Sequence, residues 1–251
     1  MNRDQYPHDP RSPGLLLIRH AQSEWNQQNR FTGWADPALT EQGIEEARRA
    51  AGLLLEMGYR FDRAWSSELR RAVHTLELLL DGIGQPGLAR QHDWRLNERH
   101  YGALQGADKT AMTHQAGEQQ VWRWRRGYRD RPPAMSQAQW QAQYPDWAGR
   151  TPGAALPHCE TLAETRERVS GFYRERILPS LARGERVLIS SHGNTLRALL
   201  MELMNMSVAE VEGFEIPTAT PIELEFVDNH GNGPMIEGWR YLGSTTAREV
   251  A

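Results

Sequence analysis

The chain has 251 residues, 39% hydrophobic and 24% charged, proportions of an ordered globular protein that exclude disorder as its dominant state. Its 29 Lys and Arg nearly balance 32 Asp and Glu, for a net charge of −3, so no global field draws it to nucleic acid or to an anionic membrane and any anion site must be local. A single cysteine, Cys159, excludes an internal disulfide framework and a cysteine-based zinc cluster, and it fits a reducing cytosol.

Residues 1–13 are polar and proline-rich, without the apolar stretch of a secretory signal, and read as a flexible leader. With no apolar run of about 18 residues, a membrane partner is not expected and a cytoplasmic location is. Gly14 to Ile18 is a short apolar run ended abruptly by Arg19-His20, the pattern of a buried parallel strand. Thr40 then caps an amphipathic segment with apolar Ile44, Ala47, Ala51, Leu54 and Leu55, ending at Gly58. Phe61 to Ser66 (strand) and Ser67 to Leu80 (helix) repeat the alternation. Gly102 to about Leu156 breaks the rhythm, being rich in Gln, Trp, Arg and Pro, and reads as an insertion covering something.

Thr161 and Glu164 form a capping box before Leu162, Val169, Phe172 and Ile177, and Pro179 is expected to end that helix. Arg186 to Ser190 is a second β-rich run, stopped by Ser191-His192-Gly193-Asn194 and followed by a helical pattern from Thr195 to Met206. Ile222, Leu224 and Phe226 alternate with acids, which suggests a strand with one exposed face at or near a sheet edge. The alternation predicts an α/β fold: one domain over 14–242, a three-layer sandwich with a mainly parallel sheet flanked by helices, and the insertion over the active site. The tail, 243–251, carries no readable pattern.

In open α/β sheets ligands bind outside the carboxyl ends of the strands, and His20 and His192 each directly follow a buried strand. If those strands are neighbours, the imidazoles face one another. A neutral imidazole is a nucleophile, and the cations nearby, Arg19 and either Arg70 or Arg71, suit phosphate. Phosphoryl transfer fits best, because Arg and protonated His donors stabilise its equatorial charge without a metal. Metal binding by the pair is the rival use, weakened by the absence of an H-E-x-x-H spacing and by cationic Arg19 next to His20. The run Val121 to Arg129 interleaves aromatics with arginines as single-strand binders do, but the net charge and the lack of a matching fold speak against a nucleic-acid partner. His74, His92 and His114 read as helix or loop residues, and His158-Cys159-Glu160 as loop.

Arg19-His20-Ala21-Gln22-Ser23 resembles the Arg-His-Gly signature of the histidine phosphatase superfamily. Phe31 to Trp34, Leu96 to Gly106, Trp124 to Gly127 and Ser191 to Leu199 resemble one branch, the cofactor-dependent phosphoglycerate mutases, in register from about Leu15 to Leu242. The resemblance implies that His20 is phosphorylated on its imidazole, that Arg19, Arg71 and His192 hold the moving phosphoryl group, and that Glu98 donates and accepts the proton. Ser23, Asn26, Thr32, Gly33, Arg99, Tyr101, Lys109, Arg125, Arg126, Gly193 and Asn194 would line the substrate pocket. The implied reaction interconverts 3-phosphoglycerate and 2-phosphoglycerate, with 2,3-bisphosphoglycerate as primer and no metal, in a homodimer or homotetramer. The alternative is a phosphatase of the same superfamily acting on small phosphomonoesters; a catalytically silent scaffold would have lost His20, Arg71 or His192.

Two departures stand inside the signature. Ala21 replaces the usual glycine and is expected to strain any backbone that relied on it, and Gln22 replaces the usual glutamate, leaving His20 less basic.

Overall fold

The computed structural model describes residues 14–147, 156–228, 234–243 and 247–249. The leader 1–13, the stretch 148–155 of the insertion and parts of the tail lie outside the described residues. A seven-stranded sheet forms the middle layer, in the order β3-β2-β4-β1-β5-β6-β7. Its first half is parallel: β1 (Gly14–Arg19), β2 (Arg63–Ser66), β3 (Arg90–His92) and β4 (Arg186–Ser191). The second half, β5 (Pro221–Asp228), β6 (Pro234–Tyr241) and β7 (Ala247–Glu249), continues antiparallel from β1. β7 lies within the tail.

Residue alternation along β1 and β4 builds two cores. Leu15, Leu17, Val187 and Ile189 face α7 (Leu162–Phe172) and α9 (Gly193–Leu203), packing on Val169, Phe172, Leu196 and Leu199. Leu16, Ile18 and Leu188 face α2 (Glu41–Glu56) and α3 (Arg70–Gly82), packing on Ala50, Leu54, Leu76 and Leu79. Each such side chain, fully withdrawn from water, contributes about 1.5–3 kcal/mol. This two-sided burial gives the expected α/β sandwich and explains why β1 and β4 are continuous apolar runs.

Two expectations need correction. β5 is not at an edge, because β1 and β6 pair with it on either side. The acid face is not solvated either. Glu223 is buried, accepting from the Tyr59 hydroxyl at 2.6 Å and from the Arg240 guanidinium at 2.7 Å. Alternation reports which residues share a face; it does not report whether that face is wet. Pro179 does not end its helix. A π-helical turn over Tyr173–Ile177 leads directly into α8 (Leu178–Ala182), where Pro179 sits in the first turn and its missing N–H costs nothing.

The insertion folds as a 3-10 turn at Gly102–Leu104, then α4 (Lys109–Ala116), α5 (Glu118–Arg126) and α6 (Gln137–Gln143). Gly102 fastens its start: φ is +58° and a Cβ there would meet the Pro133 carbonyl oxygen at 2.1 Å, so only glycine lets the two segments touch. Among the described residues no helix is long and apolar enough to cross a membrane.

Candidate active site

Register decides where the histidines go. Ile18 pairs with Ser190 and Arg19 with Ser191, so the chains leave β1 and β4 side by side, and the His20 N–H donates to the Ser191 carbonyl at 2.9 Å. The ring centroids of His20 and His192 are 5.0 Å apart. His20 Nδ1 lies 2.7 Å from the Ala21 carbonyl oxygen, which can only accept, so Nδ1 carries the proton and Nε2 holds the lone pair. The Arg71 Nε–H donates to that Nε2 at 3.2 Å, consistent with the same tautomer. Burial and the cations Arg71 and Arg19 hold the His20 pKa well below the ordinary imidazole value, leaving the ring neutral near pH 7.

Arg71 is 1% exposed, and two of its remaining N–H groups donate to the backbone: to the Ala35 carbonyl at 2.8 Å and the Gly33 carbonyl at 2.9 Å. Gly33 has φ of +54°, a conformation glycine adopts without strain. α3 begins without a cap from its own N-terminal neighbour; Asp36 supplies one, accepting from the Arg70 N–H at 2.8 Å. Of the two candidates, Arg71 therefore enters the site. Burial lowers its pKa to about 10, still charged at neutral pH. Arg19 donates to the Ile216 carbonyl at 2.8 Å, and its buried Nε has no hydrogen-bond partner.

His192 is buried beside His20 but does not line the cavity in front of it. Its Nε2 lies 2.7 Å from Ser67 Oγ and its buried Nδ1 has no partner. Burial and the nearby charges, Arg71 foremost, hold its pKa well below the ordinary imidazole value as well, which favours the neutral ring.

The cavity, about 150 Å³, is lined by Arg19, His20, Asn26, Arg30, Thr32, Gly33, Arg71, Glu98, Tyr101, Lys109, Arg125, Arg126, Gly193, Asn194, Arg197, Glu215 and Ile216. Glu98 accepts from the Arg99 N–H at 2.8 Å and from the Asn194 N–H at 3.2 Å, the latter in the first turn of α9. α4 and α5 bring Lys109, Arg125 and Arg126 to the cavity from the insertion, so the aromatic and arginine run is helical through Arg126, with the last turn of α5 over the site. Burial and the charges of Arg125 and Arg19 push Lys109 down to about 8. Asn194 Nδ2 donates to the Tyr101 hydroxyl at 3.0 Å.

Two expected pocket residues stand behind the wall instead. Ser23 is buried and caps the short helix α1 (Glu24–Gln27); its N–H and hydroxyl both donate to Asn26 Oδ1, fixing the Asn26 side chain that does line the cavity. Arg99 spends its guanidinium on the carbonyls of Glu160, Gly127 and Asp130, so it ties down the end of α5 without reaching the cavity. Arg30, Arg197, Glu215 and Ile216 were not singled out by the sequence. Arg197 sits one helical turn after Gly193, and that i, i+4 spacing is the signal that could have found it.

Ala21 is not among the residues with positive φ, so the anticipated strain is absent. The Gln22 side chain is turned to Thr40, whose hydroxyl donates to Gln22 Oε1 at 2.8 Å. Among the described residues no group of three or more His, Cys, Asp or Glu is placed to share a metal ion.

A histidine pair behind an arginine-lined cavity, at the carboxyl ends of parallel strands, defines a phosphoryl-handling α/β protein. Residues 15–139 and 134–239 match the histidine phosphatase superfamily, branch 1, and the chain belongs to that family of phosphoryl-transfer and hydrolytic enzymes. Similar solved structures include "Mycobacterial hydrolase 1" (TM-score 0.67, 22% identity, covering 94% of this chain and 100% of that one). The α-ribazole phosphatase from Shigella flexneri is also similar (TM-score 0.66, 23% identity, 92% and 96% covered). So is a mycobacterial glucosyl-3-phosphoglycerate phosphatase (TM-score 0.64, 23% identity, 92% and 97% covered). At these identities the likeness speaks for the fold.

Proposed function

We propose that the protein takes a phosphoryl group onto His20 Nε2 from a small phosphomonoester bearing a second anionic group, and that its reaction is the interconversion of 3-phosphoglycerate and 2-phosphoglycerate. The observation that carries this reading is the presence of two separate cationic groups in one small cavity. Arg19 and Arg71 stand at His20, whereas Lys109, Arg125 and Arg126 reach in from the insertion. A simple phosphatase needs to hold one phosphate and admit water; a mutase must also hold the rest of its substrate while the phosphate changes position.

The same residues fit the doubly phosphorylated primer, 2,3-bisphosphoglycerate. Among the described residues, the buried Arg19 Nε and His192 Nδ1 have no hydrogen-bond partner, and cations are available at both ends of the cavity. When bound, that compound supplies the phosphoryl group that primes His20. The neutral His20 ring presents its lone pair for attack while the Ala21 carbonyl holds the tautomer. As the Nε2–P bond forms and the P–O bond to the donor breaks, the Arg71 N–H that now meets Nε2 bonds an oxygen of the moving phosphoryl group, with the His192 ring beside it. Glu98 takes the proton from the substrate hydroxyl and returns it, held for this by the backbone N–H of Asn194.

A second reading is net hydrolysis of small phosphomonoesters, favoured by the phosphatase names of the structural relatives. The two separate in a coupled assay of 3-phosphoglycerate conversion, with and without 2,3-bisphosphoglycerate, with His20→Ala as blank. Isomerisation that depends on the bisphosphate is expected. Release of inorganic phosphate without isomerisation would replace the mutase reading with the phosphatase one.

A further inference from the structure

Among the described residues, the cavity wall holds seven Arg and Lys side chains and two acids, Glu98 and Glu215. Glu98 is engaged by backbone N–H groups near His20. Glu215 is different. It follows α10 (Val208–Gly213), its side chain is 70% exposed at the cavity mouth, and it forms an ion pair with Arg126. The Phe214 carbonyl accepts from the same guanidinium at 3.1 Å. One residue further on, the Ile216 carbonyl holds Arg19 at 2.8 Å. Three consecutive residues thus grip one arginine from each cationic group. Among the described residues, no acid pairs in this way with Lys109 or Arg125.

We propose that Glu215 is a specificity-determining residue: by occupying Arg126 it withholds one guanidinium from the second anionic group of the substrate and so sets how tightly doubly anionic ligands are held. This inference rests on the reading that the distal cations receive such a group. A ligand anion entering beside Arg125 and Lys109 meets a carboxylate as well as the cations, and it must displace Glu215 to use Arg126. A ligand with a single phosphate, seated at Arg19 and Arg71, never encounters that competition. Glu215 weakens the grip on the doubly charged ligand, which favours its exit over retention for a second transfer.

The test compares dissociation constants for 3-phosphoglycerate and glycerol 3-phosphate, which differ by a carboxylate, in wild type, Glu215→Gln, Arg126→Gln and the double variant. The carboxylate of Glu215 is exposed, so Glu215→Gln is expected to melt as wild type does. It should bind 3-phosphoglycerate about fivefold tighter, the scale of one partly screened charge contact, with glycerol 3-phosphate unchanged. The gain should vanish when Arg126 is also replaced, and inorganic phosphate release relative to isomerisation should fall in Glu215→Gln. Unchanged 3-phosphoglycerate affinity, or a gain that persists without Arg126, overturns the role of Glu215. If wild type itself fails to prefer 3-phosphoglycerate, the parent reading of the distal cations falls and this inference falls with it.

Discussion

The two ends of the cavity are built in opposite ways. At the sheet end, His20, Arg71 and His192 are almost fully buried, and most of their hydrogen bonds run to neighbouring backbone, to one another or to Ser67. At the distal end, Lys109, Arg125 and Arg126 ride on helices of an insertion, and Arg126 is held by an exposed acid. The first end is preorganised for charge that develops in a transition state, where fixed donors need no reorganisation. The second is adjustable and suits binding, where a group that exchanges partners can let a ligand turn. On the proposed reading, chemistry belongs to the strand ends, and specificity to the insertion and to Glu215, which holds one of its arginines.

The sharpest way to break this contrast is at its rigid end. His20→Ala removes the acceptor of the phosphoryl group, so phosphoenzyme should disappear and the rate fall by about 10⁴-fold or more, read by acid-labile phosphate and by turnover. Residual phosphoenzyme in that variant would place the acceptor elsewhere. Arg71→Met should cost about 10²–10³-fold in kcat with a smaller change in KM, because its Nε–H is already aimed at the reacting nitrogen. A change confined to KM would make Arg71 an ordinary binding cation.

At the adjustable end the pattern should reverse. Lys109→Gln should raise KM for 3-phosphoglycerate by about 10-fold, the scale of a charge-assisted hydrogen bond, and leave the phosphorylation rate of bound enzyme nearly intact. Wild type adds a pH signature. Lys109 has its pKa lowered to about 8, so it is charged below that value and neutral above it. Affinity for the doubly anionic ligand should be full at pH 7 and decline as pH rises through about 8. Lys109→Arg keeps the charge and should flatten that decline; a profile that falls equally in both proteins would assign the titration to another group.

The same contrast explains what the sequence disclosed. Apolar strands ending in His20 and His192 announce themselves, because a buried strand must stop where polar chemistry begins, whereas their pairing stayed conditional until the sheet order placed β1 beside β4. The Thr161–Glu164 capping box is equally local, and it closes as expected. Ser23 and Arg99 were harder: a residue that holds a pocket wall and one that faces the pocket have the same sequence context, and only three-dimensional hydrogen bonding separates them. Glu215 has no local signal at all, since its meaning comes from Arg126, 89 positions away. Alternation on β5 misled because Glu223 is paired with Arg240 on β6 and accepts from the Tyr59 hydroxyl, partners that periodicity does not register.

The smallest effect concerns Ala21, where the superfamily signature has glycine. Its N–H donates to Thr75 Oγ1 at 3.1 Å, and its methyl packs against Leu39 and Ala47 with no exposure to water. The φ is not positive, so glycine offers no relief of strain here. Ala21→Gly instead removes a buried methyl and adds backbone freedom to the unfolded chain, both destabilising, for a combined cost of about 1–2 kcal/mol. In a chain of this size that corresponds to a fall in Tm of roughly 2–8 °C. His20 keeps its contacts to Arg71 and the Ala21 carbonyl, so kcat should stay within about twofold, far below the loss at a transition-state donor. A higher Tm, or a markedly faster enzyme, would show that the methyl strains the cradle after all and that the rigid end is less well fitted than its hydrogen bonds imply.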